Sequence, residues 1–441
     1  MSDRRLVEKK RPQISAKPYL GISLKVNGTT TSFDSNVLKI EYTAMINGGE
    51  LVIAEILDPM FSKFDQIMGK DYFESSRDDS YAPVEMATDL HWIGGDLAIK
   101  PPVTHAVVSM WPSGVGNKAV ISIMAVDYAS YYLNGGDAGG YCYTGSVQDV
   151  IKQIVQKYSR KVIQLTMDTK TKDSKYNKWW QYRLDPKTLI ISLLEWSTPL
   201  TQHKSRWLLY PEDKKLRIVE QGEMDHLHRA DYMWRGYGGD IKGSGDILEW
   251  EFVGDNALQM YENQIVTGGI SAVSGAYYDP SQYKKNKEKT FVGDQNTSDK
   301  KIADVPKDQS YSRPNPDADP HDGAVGWSFM PPIPEHSAGD VGMRYDQYVD
   351  GRARGMYLAL TTTLLRSRFK VYGHHIWGCS EGLGIDTIGI KITIPESGMP
   401  YFFDGNWMIY GFKHTAVPDS WTTDLYASRF DADSNSIKVG S

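Results

Sequence analysis

Cysteine is nearly missing from this 441-residue chain, which holds only Cys142 and Cys379. Two thiols cannot supply a four-cysteine zinc site, and their wide separation gives no ground for a disulfide. Synthesis in a reducing compartment is the simplest reading. Long apolar runs are missing too: no stretch approaches the roughly 20 apolar residues that a membrane helix needs. Arg4, Arg5, Lys9, Lys10 and Arg11 crowd the N-terminus without an apolar segment behind them, so a secretory leader is not expected. Neither a G-x-x-x-x-G-K-[ST] loop nor a dinucleotide-type glycine fingerprint occurs. The net charge of −6 is small and gives no overall basic footprint for nucleic acid.

Large amphipathic rings, by contrast, are abundant: 12 Trp and 27 Tyr. Such rings suit sheets and wet interfaces, having an apolar body and a polar tip. The length exceeds one ordinary core, so two to four domains are expected.

The hydropathy pattern is mainly that of strands. Residues 1–18 read as a polar tail. Leu38, Ile40, Tyr42, Ala44 and Ile46 alternate with Lys39, Glu41 and Thr43, which gives one buried face. Asn47-Gly48-Gly49 is a hairpin turn, and Leu51 to Leu57 returns. His105 to Met110 and Ala119 to Tyr132 read as further strands, with roughly 58–100 irregular between the two halves of this sheet. The period then changes. Val147, Val150, Ile151, Ile154, Val155 and Tyr158 mark a one-sided helix behind a Ser146 cap, and Leu189 to Trp196 reads as a second. These helices define an inserted α+β domain at 141–202. Strands resume at 206–210 and 215–220, expected to complete the first sheet, and at 247–253.

Residues 279–342 are rich in Lys, Asp, Pro, Ser and Gly and read as a polar loop or arm. A long helix is expected over 343–370, with Asp346 and Asp350 at its start and Arg366, Arg368 and Lys370 at its end, as a helix dipole favours. Two aromatic-rich runs close the chain, Trp407 to His414 and Trp421 to Phe430, around the turn Val417-Pro418-Asp419-Ser420. A terminal hairpin of this kind suits the closure of a barrel. Residues 433–441 form a C-terminal tail.

Candidate chemistry is thin. Gly378-Cys379-Ser380-Glu381-Gly382 matches G-x-S-x-G, and Asp404 and His414 follow in hydrolase order. A nucleophile elbow needs a helix after the serine. The glycine-rich, β-like Leu383 to Gly389 follows instead, so a turn or bulge explains the motif better. Asp225, His226 and His228, with Glu223 nearby, lack a third ligand at metal spacing, and polar loop residues are the better reading. Asp317 to Gly323 departs from a calcium loop in its glycine position, its Pro320 and its missing closing glutamate. His374 and His375 are adjacent and would face opposite sides of a strand. Lys284, Lys285, Lys287 and Lys289 form a basic cluster without interleaved aromatics, as in a charged arm. No catalytic, cofactor-binding or metal residue is assigned, and no enzyme activity is expected. A hydrolase acting through Ser380, Asp404 and His414 stays as an alternative, as does a carbohydrate- or receptor-binding β module.

The order of features resembles one family. A β segment, a glycine-rich break, the helix from Val147 to Tyr158, a β return over Trp207 to Val219, a polar region and the run from Tyr345 to Leu365 precede the final hairpin. There Trp407, Ile409, Gly411, His414, Thr423 and Leu425 fill the places of an aromatic strand, a His and a Thr-x-Leu strand. This is similar to the tail baseplate hub proteins of contractile-tailed bacteriophages and to the hub portion of type VI secretion spike proteins. The resemblance implies a mainly β (α+β) chain with two tube-like antiparallel β-barrels. These would be 19–140 with 203–250, and 251–278 with 371–432. It further implies a homotrimeric, pseudo-sixfold ring that adapts a hexameric tail tube to a trimeric central spike. The implied partners are other copies of itself, the tail tube protein, the central spike protein, other baseplate proteins and a tape measure protein in the lumen. No specific nucleic acid, cofactor or membrane span is implied. The implied location is the virion tail baseplate, assembled in the bacterial host cytoplasm.

Overall fold

The computed structural model describes residues 17–26, 28–34, 36–67, 83–93, 102–115, 118–134, 140–159, 161–167, 178–181, 184–196, 207–220, 231–233, 247–252, 272–277, 287–292, 325–330, 366–373, 387–391 and 405–429. The N-terminal strands are β1 (Pro18–Val26), β2 (Thr29–Ser32), β3 (Val37–Met45), β4 (Gly49–Leu57), β5 (Glu85–Trp92), β6 (Val103–Val115) and β7 (Lys118–Val126). Helix α1 (Ser62–Ile67) lies between β4 and β5, and α2 (Tyr128–Asn134) follows β7. Then come β8 (Tyr141–Thr144), α3 (Val147–Tyr158), β9 (Gln164–Met167), β10 (Lys178–Gln181), α4 (Pro186–Trp196), β11 (Trp207–Glu212) and β12 (Lys215–Glu220). The remaining strands are β13 (Asp231–Met233), β14 (Ile247–Phe252), β15 (Ala272–Tyr277), β16 (Lys287–Val292), β17 (Val325–Met330), β18 (Arg366–Tyr372), β19 (Thr387–Lys391), β20 (Gly405–Val417) and β21 (Ser420–Arg429).

The protein is mainly β, as its alternating runs require. Thirteen strands form one sheet in the order β14-β18-β21-β20-β3-β4-β7-β6-β5-β1-β2, with β19 on β20 and β13 on β19. The C-terminal hairpin is therefore central. Its strand β20 pairs antiparallel with β3, Phe412 opposite Ala44 and His414 opposite Tyr42, so strands from both ends of the chain share one ladder.

The sheet rolls round one core. Leu20, Ile22 and Leu24 of β1 pack with Ile40 and Tyr42 of β3, Phe369 and Val371 of β18, and Trp407, Phe412 and Leu425 of the hairpin. Trp92 of β5 meets Trp421 of β21 with ring centroids 5.2 Å apart, although many strands separate them in sheet order. Trp92 Nε1 donates to the Gly373 carbonyl at 2.9 Å, and Gly373 N donates to the Trp421 carbonyl at 2.8 Å. A Cβ on Gly373 would fall 2.0 Å from the Trp421 ring, so only glycine fits. Trp421 is buried; removing roughly 200 Å² of indole from water at about 25 cal/mol per Å² contributes about 5 kcal/mol.

The insertion has its own core, built by α2, α3 and α4 against β8, β11 and β12. Ser146 caps α3 as expected: Asp149 N donates to Ser146 Oγ at 3.2 Å. Asp185 caps α4, accepting from Thr188 N at 2.9 Å, with Pro186 in the first turn.

Five expectations need correction. Strands β11 and β12 do not complete the first sheet; β12 pairs in parallel with β9 inside the insertion. The reason is that both faces of β11 are buried. Leu208 and Tyr210 join the main core while Trp207 and Leu209 join the insertion core, making β11 a wall between the two. The strand expected to reach Tyr132 stops at Val126, because Asp127 accepts from Ser130 N at 2.6 Å and starts α2. The stretch taken as irregular contains β5, whose Met86, Thr88, Leu90 and Trp92 point inward. The long helix over 343–370 lies outside the described residues up to 365, and its basic end is strand β18. Ser367, Phe369 and Val371 face the core there while Arg366, Arg368 and Lys370 alternate outward, a period-two row that mimics the basic end of a helix. Within 279–342, β16 and β17 flank β15 in a three-stranded sheet. Val325, Trp327 and Phe329 alternate in a segment whose average composition is polar.

Candidate functional site

Polar side chains concentrate in three places: the hairpin histidine, the junction between sheet and insertion, and the outer face of the sheet. His414 is buried, opposite Thr423 in the hairpin register. Its Nδ1 lies 2.7 Å from Thr423 Oγ1, and Trp421 Nε1 donates to the same nitrogen at 3.4 Å. Tyr42, Phe412 and Trp421 close round the ring at 4.8 to 5.9 Å between centroids. A ring so enclosed cannot meet a substrate unless the hairpin opens. The residues that carried the hub resemblance have a physical reason: Trp407, Ile409, His414, Thr423 and Leu425 are buried on the inward face of the hairpin, and a Cβ on Gly411 would run into the Met45 side chain.

Ser380 and Asp404 lie outside the described residues, as do Glu223, Asp225, His226, His228, Asp317 to Gly323, His374, His375, Lys284 and Lys285. Lys287 and Lys289 fall on β16, antiparallel to β15, where Lys287 is opposite Tyr277. Among the described residues no three His, Cys, Asp or Glu side chains gather as a metal site. Nor is any helix among them long and apolar enough to cross a membrane.

The junction holds a dense buried polar network, and no motif in the sequence announced it. Asp127 at the end of β7 accepts from Glu50 N at 2.8 Å and from Ser130 Oγ at 2.6 Å. His105 Nε2 lies 2.9 Å from Glu50 Oε2, both side chains being buried. From the insertion, Lys187 of α4 donates to the Gly48 carbonyl at 2.7 Å and to Ser130 Oγ at 2.8 Å. Burial pushes the Asp127 carboxyl up, and Glu50 adds to the rise. Lys187 and the donors of Glu50 and Ser130 oppose it. Gly49 has φ +90°, and a Cβ there would lie 2.5 Å from Ser130 Oγ and 2.6 Å from Asp127 Oδ2. The site therefore requires glycine twice over. The gap lined by Asp127, Ser130, Lys187, Leu209 and Leu216 is too tight for a water molecule.

Further clamps surround this centre. Leu209 N donates to Asn47 Oδ1 at 3.0 Å, and Asn47 N to the Leu209 carbonyl at 2.9 Å. At the β11–β12 turn Thr104 Oγ1 donates to Asp213 Oδ1 at 2.7 Å. Glu85 accepts from Lys214 Nζ at 2.9 Å and from Tyr128 Oη at 2.8 Å. Desolvation raises the Glu85 carboxyl, but the bonds from Lys214 and Tyr128 outweigh it and hold Glu85 below the usual carboxylate range. This arrangement holds two bodies in register. Among the described residues it shows no exposed nucleophile and no open acid–base pair, and its gap is too tight for water.

The outer face of the sheet alternates in charge strand by strand. Glu249 and Glu251 of β14 pair with Lys370 and Arg368 of β18 at 3.0 and 2.9 Å. Asp424 of β21 comes next, its carboxyl pushed up by burial against the pull of Arg368, Lys370 and Lys413. Lys413 of β20 then pairs with Glu41 of β3 at 3.1 Å. Such a self-compensated surface has little attraction for a polymer of either sign.

No family model matches the chain, and no curated protein matches it in sequence. Solved structures do match in fold. A tail protein from Neisseria meningitidis MC58 superposes with a TM-score of 0.51 at 12% identity, covering 93% of this chain and 97% of that one. The 43 kDa tail protein of prophage MuSo2 from Shewanella oneidensis superposes with a TM-score of 0.52 at 10% identity, covering 94% and 99%. The fold is thus one that these two tail proteins share over nearly their whole length.

Proposed function

We propose that this chain is a structural protein of a phage-type tail and acts as the central hub of its baseplate. The observation that carries the reading is the end-to-end match in fold to two tail proteins, with over nine-tenths of each chain covered. The absence of a cleft at the junction and the enclosure of His414 among the described residues suit a scaffold rather than a hydrolase. In this reading three copies form a ring with approximate sixfold symmetry. The N-terminal strands β1 to β7 take one of two neighbouring positions in each copy, and the strands around β18, β20 and β21 take the other, joined at the β3–β20 seam. The ring adapts the hexameric tail tube to the trimeric spike. Other baseplate proteins contact its outside, and a tape measure protein enters its lumen. It is built in the host cytoplasm and ends in the virion baseplate.

Native mass spectrometry of the purified protein, alone and with its spike, tests this. The expected species is three times the 49.7 kDa chain. A chain that stays monomeric even with the spike present overturns the ring.

A further inference from the structure

The turn that joins β3 to β4 is Asn47-Gly48-Gly49. An asparagine followed by glycine is prone to spontaneous loss of its side-chain amide, because glycine has no Cβ to hinder attack by its own nitrogen. At this turn both residues of the pair are held from the insertion. Asn47 N donates to the Leu209 carbonyl at 2.9 Å, and Leu209 N donates back to Asn47 Oδ1 at 3.0 Å. Lys187 Nζ of α4 donates to the Gly48 carbonyl at 2.7 Å. Within the turn, Gly48 N donates to the Met45 carbonyl at 3.1 Å. Asn47 has φ +60°, in the left-handed region that asparagine tolerates better than most residues.

These bonds oppose the reaction. Gly48 N must give up its proton to solvent and attack Asn47 Cγ. The Cγ–Nδ2 bond then breaks, and ammonia leaves with a proton returned by solvent, so that a succinimide ring closes. Water adds to one of the two ring carbonyls. Opening at Cγ gives aspartate; opening at the main-chain carbonyl gives isoaspartate, whose main chain runs through Cβ and Cγ. No oxidant or reductant takes part. For Cγ to reach Gly48 N, the Asn47 side chain must turn away from Leu209 and Gly48 N must leave Met45. The first movement strands the N–H of Leu209, a buried residue, and a buried donor without its acceptor is costly.

We infer that Asn47-Gly48 is a deamidation site held shut by the docked insertion, and that its conversion makes undocking permanent. Isoaspartate lengthens the main chain of a turn whose flanking residues, Met45 and Gly49, are paired in register. Aspartate adds a negative charge to a junction that already buries Glu50 and Asp127. Either product seats the insertion less well than asparagine does. The chemistry is independent of the hub reading above.

The test is peptide mapping by mass spectrometry of the full-length protein kept in mildly alkaline buffer. Asn27, which precedes Gly28 between β1 and β2, is the reference in the same sample. Folded wild type, wild type unfolded in urea and Lys187→Met are compared. Circular dichroism first establishes that the variant folds, and hydrogen exchange reports how far its insertion is loosened. Wild type in urea below the unfolding midpoint loosens the junction without a substitution. Asn47 should convert at least about tenfold more slowly in folded wild type than in the unfolded chain, the effect of one buried hydrogen bond that must break. In Lys187→Met its conversion should rise severalfold while that of Asn27 does not change, and in the urea series it should follow exchange over 141–220. Equal rates at Asn47 in folded and unfolded wild type overturn the inference. So does an Asn47 rate that stays flat while exchange over 141–220 rises, or one that rises only together with Asn27. Molecules converted at Asn47, separated by ion exchange, should exchange faster over 141–220 than unconverted ones; equal exchange overturns the claim that conversion makes undocking permanent.

Discussion

The C-terminal hairpin and the insertion are both additions to the N-terminal sheet, yet they are joined to it by opposite means. The hairpin is joined by backbone. Strand β20 shares a ladder with β3 on one side and β21 on the other, and its inward face is almost wholly apolar or aromatic. The insertion is joined by side chains, chiefly Lys187, Asn47, Asp127, Thr104 and Lys214, over a thin apolar wall at β11. A shared ladder makes two segments fold as one unit. A ring of polar clamps lets each unit keep its own core while fixing their relative placement, and its strength depends on every buried group keeping its partner.

Four changes would break or sharpen this contrast. Trp421→Ala removes the indole that joins the far ends of the sheet, and should cost about 4 kcal/mol in denaturant unfolding. Hydrogen exchange should then rise in β3, β20 and β21 together, whereas exchange confined to the hairpin would contradict a shared unit. Lys187→Met leaves the Asp127 carboxylate buried without its cation and should cost about 3 kcal/mol near neutral pH. Exchange should rise first in 141–220 while β20 and β21 hold. This loss carries a pH signature. The folded Asp127 carboxyl lies above the ordinary value of 3.8. Its contribution is therefore full below 3.8 and is lost as pH rises through the folded value. The Lys187→Met penalty should accordingly shrink as pH is lowered from neutrality toward 3.8, and Asp127→Asn in the same background should remove that dependence. Gly49→Ala should cost about 2 kcal/mol through positive φ and the clash with Ser130 and Asp127, read as a lower denaturant midpoint. Glu249→Ala breaks an exposed pair on the outer face and should change stability by less than about 1 kcal/mol; a larger effect would mean that the charge ladder holds β14 in place.

The two regions also differed in how far the sequence disclosed them. The hairpin was legible because its signal is local: two aromatic and β-branched runs around Pro418 and Asp419 allow few alternatives, and Ser146 marked the start of α3 in the same way. The junction was not legible. Glu50, His105, Asp127 and Lys187 lie far apart along the chain, and no short window contains their relationship. The errors had identifiable causes. Asp127 ended a strand by capping a helix, a switch hidden in a continuous run of apolar and aromatic residues. The row Arg366, Arg368 and Lys370 fitted a helix end and an outward strand face equally well until Phe369 and Val371 were seen to face inward. Strand β11 carried apolar residues on both faces, which signals burial but not the identity of either neighbour.

The placement of β20 also sets how the protein bears load. A strand with antiparallel neighbours on both sides cannot be peeled off rung by rung when it is pulled along its own axis; the rungs on both flanks must shear together. At one end of that strand, Trp421, Gly373 and Trp92 tie the hairpin to the opposite wall of the roll. Tension entering through the C-terminal hairpin therefore spreads through the whole sheet, while the insertion, held chiefly by side chains rather than by a shared ladder, is the part that can yield first.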